Sequence, residues 1–414
     1  MLDIQFIRKN AETVASKAQQ KGYQVDIEQL LGFDEERKYL QAEVEDLRQK
    51  RNNLTKATKG QKPSEEQLTL GRQLRDEINN KQHRLEAVSK DFDRLLNDVP
   101  NIFADDVPIG DESASVEVTS YGDKPRGGQD HLDFMSERDW VDFERGAKVA
   151  GTKFYFLKGN GALLEEAIKQ YVINFVINKG FTFLTVPHMV NLKTAVGAGF
   201  SPKSDKESNE YFIENEDLAL IGTAEAPLTG YHANEILSEK QLPLFYVGHS
   251  PCYRREAGTY GKHTRGLFRV HQFNKVEMYA YTLPEQSQEV HEKIRSIEEE
   301  IWQSLNIPYR VINIASGDLG APAFKKYDLE YWSKSDGVYR ELTSCSNCTD
   351  FQARNLNIRV KRADGRLDMV HTLNGTASAL SRSLIAIIEH YQTDDGKLRV
   401  PEVLRPYLNN QDEL

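Results

Sequence analysis

Between Cys252 and Glu277 the chain reads CYRREAGTYGKHTRGLFRVHQFNKVE. Arg254 and Glu256 open this segment, and Gly258, Gly261, Lys262 and Gly266 mark a loop. Beyond it Arg269, His271, Phe273, Lys275 and Glu277 alternate with Val270, Gln272, Asn274 and Val276, the two-residue period of a strand. One face would carry cations, an aromatic ring and a carboxylate. A strand face turned to a core is apolar, so these residue types need another explanation. They suit a nucleotide: guanidinium forks for phosphates, a ring for stacking a base, an acid for an amine or a metal. A solvated strand with one stray Phe would use the same residue types, so the flanking motifs decide between the two.

Cys345-Ser-Asn-Cys348 has the spacing of a zinc half-site. Zinc would need two more ligands, from Cys252, His249, His263 or His271. A buried pair of reduced thiols is the expected state. Trp140, Trp302 and Trp332 are read as core.

A strand with one polar face needs neighbours. Apolar residues from Leu163 to Val176 form a wide helical stripe over 162–178, closed by Gly180, and the run 181–186 is a strand stopped by Pro187. Further strands are expected over 218–221, 244–247, 267–281, 309–314, 327–332 and 339–343, and helices over 285–305 and 377–391. Strands in quick succession favour an α+β fold, an antiparallel sheet flanked by helices, over a doubly wound parallel one. Gly197 and Gly199, before Phe200 and Ser201, read as a mobile loop over the pocket. Leu373–Thr376 reads as a turn.

The first hundred residues follow another rule. Leu40, Val44, Leu47 and Leu54, then Leu74, Ile78, Leu85, Val88, Phe92 and Leu95, keep heptad spacing. Gly60 and Pro63 separate the two runs, and Ser64 with Gln67 is a helix start. Two antiparallel helices of roughly 35–45 Å should form a projecting arm. Arg48, Lys50, Arg51, Lys56, Lys59 and Lys62 succeed one another with no acid between them. A solvated turn is the usual reading of a charge run. In a chain of net charge −10, six cations without an anion favour a phosphate-contacting tip. The stretch 97–111, with two prolines and four aspartates, is a linker, so the chain should divide into 1–105 and 106–414.

The 414 residues hold 63 acids against 53 bases, which excludes a uniformly basic nucleic-acid coat but not a local patch. No apolar run approaches a membrane span, and Met1–Arg8, with Asp3 inside it, does not read as a signal peptide. Three cysteines make no disulfide framework. A cytoplasmic enzyme or binding protein, with no membrane partner, is expected.

The segment Tyr-Arg-x-Glu, loop, Arg-x-His-Gln-Phe-x-Lys-Val-Glu resembles the second signature motif of class II aminoacyl-tRNA synthetases, in the form seen in seryl-tRNA synthetases. The Thr223-Ala-Glu225 loop, Arg340–Cys348, Leu373–Thr376 and the helical arm follow the same family in order. This resemblance implies a six- to seven-stranded antiparallel sheet, a homodimer, and ATP with Mg2+ as cofactors. It implies that Arg254 holds the α-phosphate, that Glu256 accepts from the adenine amino group, and that Phe273 stacks under the ring. Arg255, Arg269, Val270, Leu342 and Thr343 complete the ATP set. Glu341 and Ser344 would place magnesium, and Arg382 would stack over the adenine or clamp the γ-phosphate. Arg254, Glu341 and Arg382 are the implied catalytic residues. Glu277 would bind the serine ammonium, with Thr223, Ala224, Glu225 and Thr376 around the hydroxyl and carboxylate. Pro187 matches the motif at the dimer contact. His271 is read as structural, because the serine carboxylate needs no base.

The implied activity is ATP-dependent activation of L-serine, then transfer to the 3′ end of tRNA(Ser), with the six arm cations on the tRNA. The alternative is a synthetase-like ligase that loads an amino acid onto a carrier protein, which has no use for a basic-tipped arm. A non-catalytic paralogue should have lost Arg254, Glu256, Glu277 or Arg382, and all four are present. Thr343 stands where the family pattern usually has serine, and Ala377 and Ser381 where it usually has glycine.

Overall fold

The computed structural model describes residues 1–60, 62–200, 209–256 and 265–414. Gly258, Gly261, Lys262, His263 and Ser201 lie outside the described residues. The chain forms two compact units, Met1–Ile102 and Phe103–Leu414.

In the first unit, α1 (Ile4–Lys9) and α2 (Ala11–Gln20) precede two long helices, α3 (Ile27–Ala57) and α4 (Glu65–Asp98). The long pair exceeds the expected length, about 46 and 51 Å at 1.5 Å per residue. Exposed polar residues extend each helix past its heptads. The Ser64 hydroxyl accepts from the Gln67 amide at 3.2 Å while the Gln67 side chain accepts from the Ser64 amide at 2.9 Å, a reciprocal cap. Leu47, Leu74 and Ile78 are buried between the helices. The sequence reading missed α1 and α2. Asp3 caps α1 by accepting from the Gln5 amide, and Ile7 and Val14 pack with Leu30, Phe92 and Leu96.

The second unit is built on eight strands: β1 (Val116–Tyr121), β2 (Thr182–Thr185), β3 (Leu244–Tyr253), β4 (Gln272–Thr282), β5 (Tyr309–Asn313), β6 (Lys325–Ser333), β7 (Val338–Asn347) and β8 (His371–Ala379). Their order is β1-β5-β6-β7-β8-β4-β3-β2. All neighbours are antiparallel except β2, which runs parallel to β3 at the edge. Seven strands thus form the expected antiparallel sheet, and β2 adds an eighth at the edge, parallel because the long connection 186–243 carries the chain back before β3. After β1 lie α5 (His131–Glu137), α6 (Gly159–Asn178), α7 (Leu192–Ala198), α8 (Ser287–Ser304), α9 (Phe351–Leu356) and α10 (Leu380–Tyr391), the last following β8. Leu164, Ile168 and Val172 of α6, Ile294 and Ile301 of α8 and Leu384 and Ile388 of α10 share one core with Val276, Met278 and Ala280 of β4.

Three readings need correction. Leu373–Thr376 is no turn but part of the central strand β8. Gly375 is there because a Cβ would lie 2.2 Å from Ile294 Cγ2 on α8. Gly197 belongs to α7 rather than to a loop, and a Cβ on it would lie 2.4 Å from Leu356 Cδ2 of α9. Gly199 ends that helix at φ 98°. Finally, β4 starts at Gln272, not at 267. Gly266, at φ +62°, opens a short turn over Gly266–Phe268, so Arg269 and Val270 precede the strand.

Candidate active site

β4 is buried on both faces from Lys275 onward, while its first residues open into a cavity. The cavity, about 230 Å³, is lined by Arg254, Glu256, Phe268, Arg269, Val270, Phe273, Lys275, Lys326, Glu341, Leu342, Thr343, Ser344, Thr376, Ser381 and Arg382 among others. Residues from β3, β4, β6, β7, β8 and α10 thus converge at one end of the sheet. The side-chain alternation places Phe273, Lys275 and Glu277 on one face. Asn274 points to the other, where its amide lies 3.5 Å from Glu165. On that reverse face a larger cavity, about 390 Å³, contains Glu165 and Tyr155 but no cation.

Three cations and two rings shape the mouth. The Arg254 guanidinium lies 5.2 Å from the Phe273 ring centre, and its Nε donates to the Gly222 carbonyl at 3.3 Å. Arg269 donates to Glu256 at 3.0 Å. Arg382 pairs with Glu341 at 3.0 Å and lies 4.7 Å from the Phe268 ring centre. Burial alone would raise Glu341, but Arg382 and Lys326 hold it well below the usual carboxylate range. It is therefore an anion at neutral pH. A phosphate chain would meet Arg254, Arg269 and Arg382 in bidentate geometry, and a base would find Phe273.

The floor is acidic. Lys275 Nζ sits 2.5 Å from Glu277 Oε2, and the Thr376 hydroxyl donates to Glu277 at 3.3 Å. Glu225 is half-buried and accepts from Gln352 at 2.7 Å and from Asn374 at 3.0 Å. Burial, then the nearby Glu277, push Glu225 up to about 7. Glu298 of α8 lies beneath β7 and β8 and accepts from the Thr343 hydroxyl at 2.8 Å. Burial pushes it far above the carboxylate range, so it is a neutral acid. Asp328, paired with Lys326 at 3.0 Å, is likewise raised by burial. This end of the cavity can hold an ammonium and a hydroxyl.

The predicted residues thus fall into groups. Arg254, Glu256, Arg269, Val270, Phe273, Glu341, Leu342, Thr343, Ser344, Thr376 and Arg382 line the cavity. Thr223, Ala224, Glu225 and Glu277 are buried or nearly so at its acidic end. Arg255 is the exception: it does not line the cavity, and its amide donates to the Asn209 carbonyl. Both arginines lie just past the end of β3, where the strand's alternation no longer sets their faces. His271 Nδ1 donates to the Arg254 carbonyl, 3.0 Å away, and the ring packs on Phe154. Ala377 is the extra residue of a bulge, because Val276 faces Ser378 and Glu277 faces Thr376. Its Cβ is absorbed in the core. Cys252, Cys345 and Cys348 are buried free thiols.

Phe268, Lys326, Asp328, Glu298 and Gln352 escaped the sequence reading. Of these, Asp328 alone carried a local signal, as a single acid between apolar residues in Tyr327–Trp332. On the arm, Arg48 donates to Gln82 of α4 at 3.1 Å and Lys50 pairs with Asp46 at 2.7 Å. Arg51, Lys56, Lys59 and Lys62 are exposed.

Comparisons with known proteins agree with this geometry. The family model "Seryl-tRNA synthetase N-terminal domain" matches residues 1–103, and "tRNA synthetase class II core domain (G, H, P, S and T)" matches residues 209–391. A serine–tRNA ligase of Dictyoglomus turgidum is 43% identical over 99% of this chain and 98% of its own. That of Treponema denticola is 41% identical, covering 98% of each. The crystal structure of seryl-tRNA synthetase from Pyrococcus horikoshii complexed with ATP superposes with a TM-score of 0.89 at 40% identity, covering 100% of this chain and 99% of that one. A cytoplasmic serine–tRNA ligase from Naegleria fowleri in complex with AMP gives 0.83 at 31% identity, covering 98% and 95%. With family models matched over residues 1–103 and 209–391 and a relative 43% identical along 99% of its length, the chain belongs to the seryl-tRNA synthetase family.

Proposed function

We propose that this chain joins L-serine to tRNA(Ser) in two steps. In the first, a serine carboxylate oxygen attacks the α-phosphorus of ATP, the bond to the bridging oxygen breaks, and pyrophosphate leaves. In the second, a hydroxyl of the terminal ribose of tRNA attacks the acyl carbon and AMP leaves. No covalent intermediate with the protein is needed, so catalysis is positioning and charge stabilisation.

Arg254 supports the α-phosphate where negative charge builds, and its contact with Phe273 couples that task to the stacked adenine. Glu256, already oriented by Arg269, accepts from the adenine amino group. Arg382 takes the outer phosphates. Glu341 and Ser344 offer hard oxygen donors, which fit Mg2+. When bound, magnesium supplies charge neutralisation on the phosphates. Glu225 and Glu277 receive the serine ammonium, and Thr223 and Thr376 supply the hydroxyls around it. A pocket that hydrogen-bonds the serine hydroxyl rejects alanine by a factor on the order of 10⁴.

The single observation that carries this reading is the meeting of three arginines and a ring in one cavity whose lining residues Lys275 and Thr376 contact the buried Glu277. The division into an N-terminal unit and a sheet unit supports the assignment of residues 1–105 to tRNA binding and of 106–414 to catalysis. The anion-free run Arg48–Lys62 supports tRNA contact by Arg48, Lys50, Arg51, Lys56, Lys59 and Lys62. Exposed apolar side chains on the sheet unit, among them Val149, Leu163, Phe183 and Met189, support a homodimer. Among the described residues no helix is long and apolar enough to cross a membrane. A tRNA substrate supports a cytoplasmic location. The test is ATP–pyrophosphate exchange with each of the twenty amino acids, then charging of tRNA. Serine alone should drive exchange; exchange with another amino acid and not with serine would overturn the reading.

A further inference from the structure

Away from the cavity, Asp130, His131 and Glu389 meet with one donor atom of each within 4.8 Å of the others. These are the residue types of a metal site, and His131 is only 4% exposed. The chemistry of the ring argues for another use. His131 Nε2 accepts a hydrogen bond from the Leu267 amide at 3.3 Å. Nε2 therefore has no proton, and the neutral ring carries its proton on Nδ1. Nδ1 faces Asp130 Oδ2 at 3.5 Å. A metal on Nδ1 would move the proton to Nε2 and set two N–H groups against each other.

The carboxylates around the ring are themselves held. Burial would raise Asp130, but His131, the Leu132 amide and Arg265 bring it to about 2. Glu389 of α10 accepts from Ser333 at 2.9 Å, from the Lys334 amide at 3.1 Å and from Ser335 at 2.8 Å. On the other side of the ring the chain is clamped to α5. Arg265 reaches Asp133 at 2.6 Å and Asp130 at 3.4 Å. A Cβ at Gly266 would lie 2.3 Å from His131 Nε2, so only glycine lets the turn approach. After Leu267 come Phe268 and Arg269, which line the cavity, the first against Arg382 and the second paired with Glu256.

We propose that His131 is a positioning residue for the nucleotide half of the cavity: its unprotonated Nε2 fixes the turn Gly266–Phe268 and, through it, Phe268 and Arg269. This rests on reading that half as the ATP site. The experiment is pyrophosphate exchange by the full-length protein carrying H131A, H131Q or R254A, with ATP and serine varied separately. Losing one buried hydrogen bond at the turn should raise the KM for ATP in H131A by about tenfold and leave the KM for serine within about twofold. H131Q can still accept from the Leu267 amide and should recover most of the loss. Nitrogen-15 spectra of histidine-labelled protein should show His131 protonated on Nδ1 alone.

An unchanged KM for ATP in H131A would overturn the inference, and so would a proton on Nε2 or equal rises in both KM values. If H131A does not fold, the spectrum and H131Q decide. R254A separates this inference from the reading beneath it. If R254A abolishes exchange and H131A changes nothing, only the role of His131 falls. If R254A leaves exchange intact, the ATP site itself is misplaced.

Discussion

The helical arm and the sheet unit handle charge in opposite ways. On the arm, ion pairs such as Lys50–Asp46 and Arg84–Glu36 stand in water, often between residues one helical turn apart. Such pairs are screened and contribute little to stability. At the active end of the sheet, Lys275 and Glu277 are 8% and 1% exposed. Neighbouring Glu298 and Asp328 are buried acids drawn from separate elements, and Glu225 is half-buried. There each charge depends on its partner, because desolvation is not repaid by water. The exposed charges of the arm can change and leave its fold intact, with Asp34, fully buried among Arg8, Arg37 and Lys38, as its exception, whereas the buried charges of the sheet cannot.

The largest expected effect is on the sheet side. R254A should lower serine-dependent pyrophosphate exchange by at least about 10²–10³-fold, the loss that follows removal of one donor to a developing anion. Near-normal exchange would dissolve the distinction between the two units. The converse change is removal of residues 35–92. It should leave exchange within about threefold while tRNA charging falls by about 10²-fold or more, since phosphate contacts supply most non-specific affinity. Charging that survives the deletion would remove the arm from the reaction.

Next come stability changes. K275M strands the Glu277 carboxylate and should cost about 3–5 kcal/mol in urea unfolding. K50M breaks the exposed pair with Asp46 on the arm and should leave the unfolding midpoint unmoved. Glycine gives a matched pair of opposite sign. G375A would press on Ile294 and Glu298 and should destabilise by about 1–3 kcal/mol. G71A meets nothing closer than 3.8 Å in α4 and should stabilise by about 0.5–1 kcal/mol.

The smallest effect is a pH dependence. Glu225 titrates at about 7, so acidification neutralises it and weakens its hold on an ammonium. The KM for serine should rise roughly three- to tenfold between about pH 8 and pH 6, and E225Q should flatten that rise. A flat profile in the unaltered protein would place the ammonium elsewhere.

What could be read in advance follows the same division. Heptads from Leu40 to Leu95 and the Ser64–Gln67 cap are local, so they located the long helices, although α1 and α2 lacked a long enough pattern. The segment Arg254–Glu277 announced nucleotide chemistry because a strand alternates its faces. β8 was hidden by its own composition. His371–Ala379 holds Asn374, Gly375 and five hydroxyl-bearing or small residues where a core strand usually has branched apolar ones. Gly375 reads as a turn until α8 is known to lie against it. Glu298 and Asp328 looked like ordinary charges in helix and strand patterns, since burial is not a local property.

By itself, then, the order of residues determined the helix-forming arm, its anion-free tip, and which side chains a nucleotide strand would present. Only the tertiary structure decided that Arg255 faces away, that Lys275 and not solvent answers Glu277, and that His131 reaches a turn more than a hundred residues along the chain. The physical reason is range. Periodicity and capping act over one or two turns of backbone, whereas desolvation and close packing depend on which distant segments the sheet brings together.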